Sequence, residues 1–140
     1  MAHLSRFIEA QQGVYEQALD ELRKGKKRSH WMWFVFPQLA GIGRSALAER
    51  YAISNIDEAR SYLADPLLRS RLDECVHAML LWEERRSAVS ILGEIDAMKF
   101  RSSMTLFEVA AKEGGSALFS HALEAFHEGQ RDNLTLSLLL

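Results

Sequence analysis

The sequence predicts one all-α domain of about eight short helices, packed orthogonally rather than as a regular up-and-down bundle. Apolar residues recur at helical spacing through most of the 140 residues. No segment alternates apolar and polar residues over several repeats, as half-buried strands do. The two prolines and most of the eight glycines fall where the helical patterns stop. A chain of this length suits a single domain, residues 1–140, with one hydrophobic core.

Composition excludes several functional classes. Nineteen acidic residues against seventeen basic ones give a net charge of -2, which disfavours a nucleic-acid partner because nucleic-acid-binding domains usually carry a basic excess. The single cysteine, Cys75, cannot form an internal disulfide or a thiolate metal site, and the histidines lack ligand spacing, so we expect no metal and no cofactor. With neither a secretory signal pattern nor an apolar run near the ~20 residues of a membrane span, we expect a cytoplasmic protein.

The first half of the chain predicts four helices. The first runs over Ser5–Lys24, with Gly13 as a weak point. Ser29 is expected to cap a short helix that ends at Trp33 or Phe36, before Pro37 breaks it. Two more follow a glycine-containing loop and are predicted over residues 44–51 and 56–64.

The second half predicts five more. Asp65 as a cap with Pro66 at the first position marks the start of a longer helix, and a short helix over 87–92 closes at Gly93. Residues 96–100 are expected to be irregular or a single turn, and a serine at 102 or 103 is expected to cap the next helix, which runs to Lys112. After a break at Gly114-Gly115, the last helices are predicted over residues 116–128 and from 132 or 133 into a leucine-rich tail.

The most unusual segment is HWMWFVFPQ, residues 30–38. Its four aromatic side chains cannot all face one side of a helix, so some line a groove unless the helix is buried all round. A central core position is the favoured interpretation of these aromatics. His30 and Gln38 bracket the run and either orient a ligand or satisfy buried backbone groups. The preceding Lys26-Lys27-Arg28 suits a phosphate at a helix start, whereas a solvated loop explains at least one of these cations.

A second polar cluster occupies residues 96–105, DAMKFRSSMT. Two serines and a threonine before an apolar helix are typical of a cap, although a cap needs only one hydroxyl. The surplus hydroxyls, with Lys99 and Arg101 beside them, predict a helix amino terminus that receives an anion. Asp96 either pairs with Lys99, which is favoured, or faces a ribose hydroxyl of a ligand.

These motifs resemble the domain of unknown function 1810 family, a group of small, mainly helical proteins. The resemblance rests on HWMWFVFPQLAGIGRSALAERYAI and DAMKFRSSMTLFEVAA, supported by RFIEAQQGVYEQALDELRKGKK and DEARSYLADPLLRSRL. It covers about residues 4–128 and leaves the helical tail 129–140 outside. It implies a helical fold without an assigned activity. In shape the family is also similar to NADAR-type domains, which are associated with ADP-ribose and nucleotide-derived substrates, but this is an analogy of fold alone.

The resemblance also implies a set of polar family positions gathered around one pocket. In this chain they are Gln11, Lys26, His30, Gln38, Ser45, Tyr51, Asp96, Lys99, Ser102, Ser103 and Thr105.

The first functional hypothesis is a protein that binds or processes a phosphate-bearing, nucleotide-like ligand related to ADP-ribose. Tryptophans would stack on a base, cations would contact phosphate, and His30 or Asp96 would transfer protons, since histidine ordinarily titrates near neutral pH. The tryptophans are Trp31 and Trp33, and the cations are Lys26, Lys99 and Arg101. Whether such a protein is an enzyme is left open.

The alternative is a non-enzymatic interaction module. In it, the aromatic segment or the leucines of residues 134–140 dock a protein partner, which could be a second copy of the chain. A third interpretation assigns every motif to structure alone.

Overall fold

The computed structural model describes residues 4–111 and 115–139, and there the backbone forms ten α-helices and no strand. The predicted all-α class is confirmed. The helices are α1 (Ser5–Gln11), α2 (Tyr15–Arg23), α3 (Met32–Val35), α4 (Ala46–Arg50), α5 (Ile56–Ala64), α6 (Pro66–Leu80), α7 (Ala88–Leu92), α8 (Glu94–Ala110), α9 (Ala117–His127) and α10 (Asn133–Leu139). The predicted helix end at Lys112, the glycine at 114 and the last tail residue, 140, lie outside the described residues.

Local side-chain caps begin several helices where the sequence predicted them. Asn55 accepts the backbone N–H of Glu58 at the start of α5, and Asp65 accepts the N–H groups of Leu67 and Leu68 at the start of α6. Each cap satisfies backbone donors that the first helical turn leaves without a partner. These boundaries therefore depend on residues within three positions of one another.

The predicted first helix is divided in two. Gly13 lies between α1 and α2 with φ of 79°, a left-handed conformation that glycine adopts without steric cost. The expected weak point is thus a complete break, and it is one reason why the described residues form ten helices rather than about eight.

The largest departure from the sequence-based prediction is α8. It begins at Glu94, directly after Gly93 (φ 91°), and runs without interruption through the segment expected to be irregular. Ser102 and Ser103 therefore lie in the middle of a helix, and the prediction that they cap one was wrong. Within a helix a hydroxyl can bond the carbonyl four residues earlier, as Ser102 does with Met98 O at 3.2 Å.

The long helix α8 is central to the fold. It packs against α5, α7, α9 and α10, and its buried face includes Phe100, Met104 and Phe107. An isolated parallel bridge between Leu39 and Ile53 ties together the two loops that flank α4. No helix in residues 4–111 and 115–139 has the length and apolarity required to cross a bilayer.

Candidate functional site

The buried carboxylate of Glu21 holds the loop that precedes the aromatic segment. It accepts hydrogen bonds from the backbone N–H groups of Arg28 (2.7 Å) and Ser29 (3.0 Å). It also accepts the Ser29 hydroxyl (2.6 Å) and the indole N–H of Trp31 (2.9 Å). Burial alone would raise the pKa of Glu21, but these donors together lower it to about 2. The loop is therefore anchored to α2 by an ionised group.

This arrangement overturns the predicted anion site at the start of the aromatic helix. The N–H groups of Arg28 and Ser29 bind the protein's own carboxylate, so they are not directed at an external phosphate. Ser29 does not cap α3, which has only four residues and begins after Trp31.

The aromatic segment is mainly core, as the favoured interpretation predicted. Trp31 is 0% exposed, which rules out its proposed stacking on a base. Phe36 is buried as well and packs edge-to-face on Phe100, with ring centroids 4.9 Å apart. Trp33 differs, because it is only half-buried and Lys99 Nζ lies 5.3 Å from its ring centroid. Its indole N–H is buried without a hydrogen-bond partner among the described residues.

Three charged side chains from the two predicted motifs meet in what we call the lysine–aspartate cluster. Lys27 Nζ lies 3.0 Å from Asp96 Oδ2, and Lys99 Nζ lies 3.6 Å from Asp96 Oδ1. The side chains of Lys27, Asp96 and Lys99 are 10%, 17% and 23% exposed. The predicted Asp96–Lys99 pair is confirmed. Because two ammonium groups share one carboxylate, the cluster keeps one excess positive charge.

Two open clefts adjoin this cluster. The histidine cleft, about 480 Å³, is bordered by Lys27, His30, Asp96 and residues 92–95. The glutamine cleft, about 280 Å³, has the polar side chains of Gln38, Lys99, Ser102 and Asp132, and apolar walls from Ile42, Ile95, Met98 and Leu134 beside Gly43. Ile95 borders both clefts, and the Asp96–Lys99 pair runs from one to the other.

The structure therefore brings five of the predicted site residues to one face of the molecule. His30 and Asp96 border the histidine cleft, while Gln38, Lys99 and Ser102 border the glutamine cleft. Segments about sixty positions apart meet here because α8 packs beside the loops that flank α3.

Other predicted site residues have structural partners instead. Gln11 is buried and donates to Phe34 O at 2.7 Å, so it holds α1 against the aromatic segment. Ser45 caps α4 by accepting the N–H of Ala48. Tyr51 is half-buried against the rings of Phe7 and Phe34, as expected of a core-edge aromatic. None of these three predicted residues borders either cleft.

The remaining predicted residues of the two motifs border neither cleft. Lys26 is exposed and borders neither cleft. Ser103 is 0% exposed, and its hydroxyl has no hydrogen-bond partner in the described part of the chain. Thr105 and Arg101 contact the segment before α10: Thr105 Oγ1 accepts the Asp132 N–H at 3.0 Å, and Arg101 donates to Arg131 O at 2.8 Å. These last two anchor the carboxy-terminal helix rather than face a cleft.

Lys26 rather than its neighbour Lys27 was among the predicted site residues, and Asp132 was named only as one of two starts for the last helix. Nothing in the run Lys26-Lys27-Arg28 indicates which ammonium group turns inward. The apolar walls were also missed, because Met98 was assigned to an irregular segment and Ile95 was given no role.

No three His, Cys, Asp or Glu side chains of residues 4–111 and 115–139 are placed to hold a metal ion. Cys75 is buried, and its burial raises the pKa of the thiol to about 12, which keeps it protonated at neutral pH.

Comparisons with known proteins agree with the motifs. The family model described as Protein of unknown function (DUF1810) matches residues 1–139. The chain is similar to the solved structure of the conserved hypothetical protein Rv1873 from Mycobacterium tuberculosis, with 46% identity and a TM-score of 0.92 over 97% of this chain and 95% of that chain. A search of the curated proteins finds no match. With the family model covering all four stretches that suggested it, this chain belongs to the DUF1810 family of proteins of unknown function.

Proposed function

We propose that this protein binds a small phosphate-bearing, nucleotide-like ligand across the two clefts, with the phosphate at the lysine–aspartate cluster. The observation that carries the proposal is the sharing of Asp96 by Lys27 and Lys99 at the junction of the clefts. Neither lysine is fully neutralised, and both are mostly shielded from solvent, where a charge–charge interaction is stronger than in bulk water. An anion placed between them would complete the charge balance.

The charges around the cluster limit the anion. Glu94 and Asp96 both border the histidine cleft, and their carboxylates would repel a highly charged ligand. One phosphate, or a diphosphate that ends in neutral groups, fits this balance better than a triphosphate. ADP-ribose and nucleoside monophosphates belong to the favoured class.

The glutamine cleft supplies the surface for the remainder of such a ligand. Its walls include Ile42, Ile95 and Met98, which give apolar contact to a planar base. Gln38 borders the same cleft, and its amide both donates and accepts hydrogen bonds, as recognition of a base edge requires. These aliphatic walls take the base-stacking role that the sequence analysis assigned to Trp31 or Trp33.

His30 is our candidate for proton transfer if the bound ligand is processed. Its exposed ring borders the histidine cleft, and no described residue forms a hydrogen bond or ion pair with it. Asp96 is engaged by two lysines, which favours a positioning role for this carboxylate over that of a base.

A matched pair of lysine variants tests the proposal. Binding of ADP-ribose, AMP and ATP would be followed by NMR titration at low salt for the wild type, Lys27→Gln and Lys26→Gln. We expect Lys27→Gln to weaken AMP and ADP-ribose binding by about tenfold, because it removes a charge-assisted contact. Lys26→Gln removes the same charge one residue away and should leave the affinity within about twofold, since exposed charges interact weakly. Absence of any wild-type response at millimolar ligand would refute the proposal.

A second candidate function is protein docking on the apolar surface around the glutamine cleft. Ile95, Met98 and Leu134 are 72%, 67% and 50% exposed, more than expected for neighbouring large apolar side chains without a binding role. The buried aromatic segment is not available for docking, so this candidate depends on α10 and the first turns of α8. Sedimentation of the intact chain and of a chain truncated after Gly129 tests it, with a second copy as the partner. If the intact chain is monomeric, self-association through the tail leucines is wrong.

A further inference from the structure

We infer that Asp132 recognises ligand hydroxyl groups in the glutamine cleft, so that the ligand carries a sugar or another polyol next to its phosphate. This inference rests on the function proposed above and names the chemistry of the ligand part that lies away from the lysine–aspartate cluster.

The two oxygens of Asp132 have different roles. Oδ2 accepts the backbone N–H of Thr135 at 3.0 Å and the Thr135 hydroxyl at 2.6 Å, which caps α10. Oδ1 accepts no hydrogen bond from the described residues, while the side chain borders the glutamine cleft. Capping therefore accounts for one oxygen and leaves the other as an acceptor next to the cleft.

Contacts to α8 hold this carboxylate in place. The Asp132 N–H donates to Thr105 Oγ1 at 3.0 Å, and the preceding carbonyl, Arg131 O, accepts from Arg101. Arg131 itself is ion-paired with Glu108 on α8. Because α8 also carries Lys99 and Ser102, these contacts fix Asp132 relative to the other polar groups of the cleft. An acceptor held in this way binds a ligand without a large ordering cost.

Charge decides which ligand group suits Asp132. A phosphate would be repelled by the carboxylate, and a ligand ammonium group would lie in the same cleft as Lys99. A neutral hydroxyl pair avoids both penalties, and an ionised carboxylate accepts from two such donors. Ser102 borders the same cleft, and because its hydroxyl donates to Met98 O, its lone pairs remain to accept a further hydroxyl of the sugar. The phosphate would therefore be recognised at the lysine–aspartate cluster, and the hydroxyl groups in the glutamine cleft.

Fragment probes test the inference in the intact chain. Inorganic phosphate, ribose 5-phosphate and phosphoethanolamine would be titrated by NMR against the wild type, Asp132→Asn and Asp65→Asn. Asparagine caps helices as well as aspartate does, so α10 should remain docked and the melting temperature nearly unchanged. Asp65→Asn is the control: it makes the same substitution at the residue that caps α6, and Asp65 borders neither cleft.

We expect the wild type to bind ribose 5-phosphate about tenfold more tightly than inorganic phosphate, since a hydrogen bond to a charged acceptor is worth at least this factor. Asp132→Asn should remove that preference while phosphate binds equally well or more tightly, and Asp65→Asn should retain it.

Three results would overturn the inference while phosphate binding, and with it the proposed function, survives. The first is that the wild type binds phosphate and ribose 5-phosphate with equal affinity. The others are that Asp132→Asn changes the affinity for both probes by the same factor, or that it weakens only the binding of phosphoethanolamine. If none of the probes binds the wild type, the inference and the proposed function are refuted together.

Discussion

Replacing Glu21 by glutamine tests the electrostatic anchor of the cleft loop. The variant keeps the shape of the side chain but replaces an ionised acceptor, which holds Arg28, Ser29 and Trp31, by a neutral one. The pKa of Glu21 falls from 4.5 to about 2 in the folded protein. At 1.36 kcal/mol per pKa unit, the ionised carboxylate stabilises the fold by about 3 kcal/mol at pH 7. Glu21 is 5% exposed, so solvent screening reduces this value little.

The sign of the pH dependence follows from the lowered pKa. The stabilisation is fully present above about pH 4.5, where the unfolded chain is also ionised, and is lost as the pH falls towards 2. The difference between wild type and Glu21→Gln should therefore decrease by about 1 kcal/mol between pH 7 and pH 3.5.

Urea unfolding followed by tryptophan fluorescence measures both quantities. Glu16→Gln is the matched control, because Glu16 is an exposed carboxylate on the same helix and its removal should change the free energy of unfolding by less than about 0.5 kcal/mol. A Glu21→Gln protein as stable as the wild type at pH 7, or a difference that does not vary with pH, would refute the anchoring argument.

Three further predictions concern single residues. Burial and the nearby charge of Arg101 lower the pKa of His127 from 6.5 to about 4, so the free energy of unfolding should fall as the pH decreases from about 6.5 to 4. His127→Phe should remove part of this pH dependence, measured by urea unfolding at several pH values. An unchanged pH dependence would contradict the assignment. Gly25→Ala should lower the free energy of unfolding, measured in urea, by at least about 1 kcal/mol more than Gly93→Ala. Both glycines have positive φ, but a Cβ at Gly25 would lie 2.7 Å from the Trp82 ring, whereas one at Gly93 meets no atom within 4 Å. Equal costs would show that backbone strain alone governs both sites. Thr105→Val should cost about 1–3 kcal/mol by leaving the Asp132 N–H without its acceptor. Hydrogen exchange should then accelerate in α10 more than in α9, and uniform protection would count against the clamp.

The sequence by itself determined the helical class and many helix boundaries. Asn55, Asp65 and Ser87 begin helices where their side chains reach backbone N–H groups two or three residues ahead, and this information is local. The two motif segments also meet on one face of the molecule, where His30 borders one cleft and Gln38 and Ser102 border the other.

Only the tertiary structure decided what each polar group does. Glu21 takes the N–H groups expected to bind an anion, Lys27 rather than Lys26 turns towards Asp96, and Thr105 anchors Asp132 instead of starting a helix. Each outcome depends on partners seven to about seventy positions away. Helical periodicity and capping patterns describe neighbours within one turn, so they carry no information about which distant charge a flexible lysine or carboxylate meets once the helices have packed.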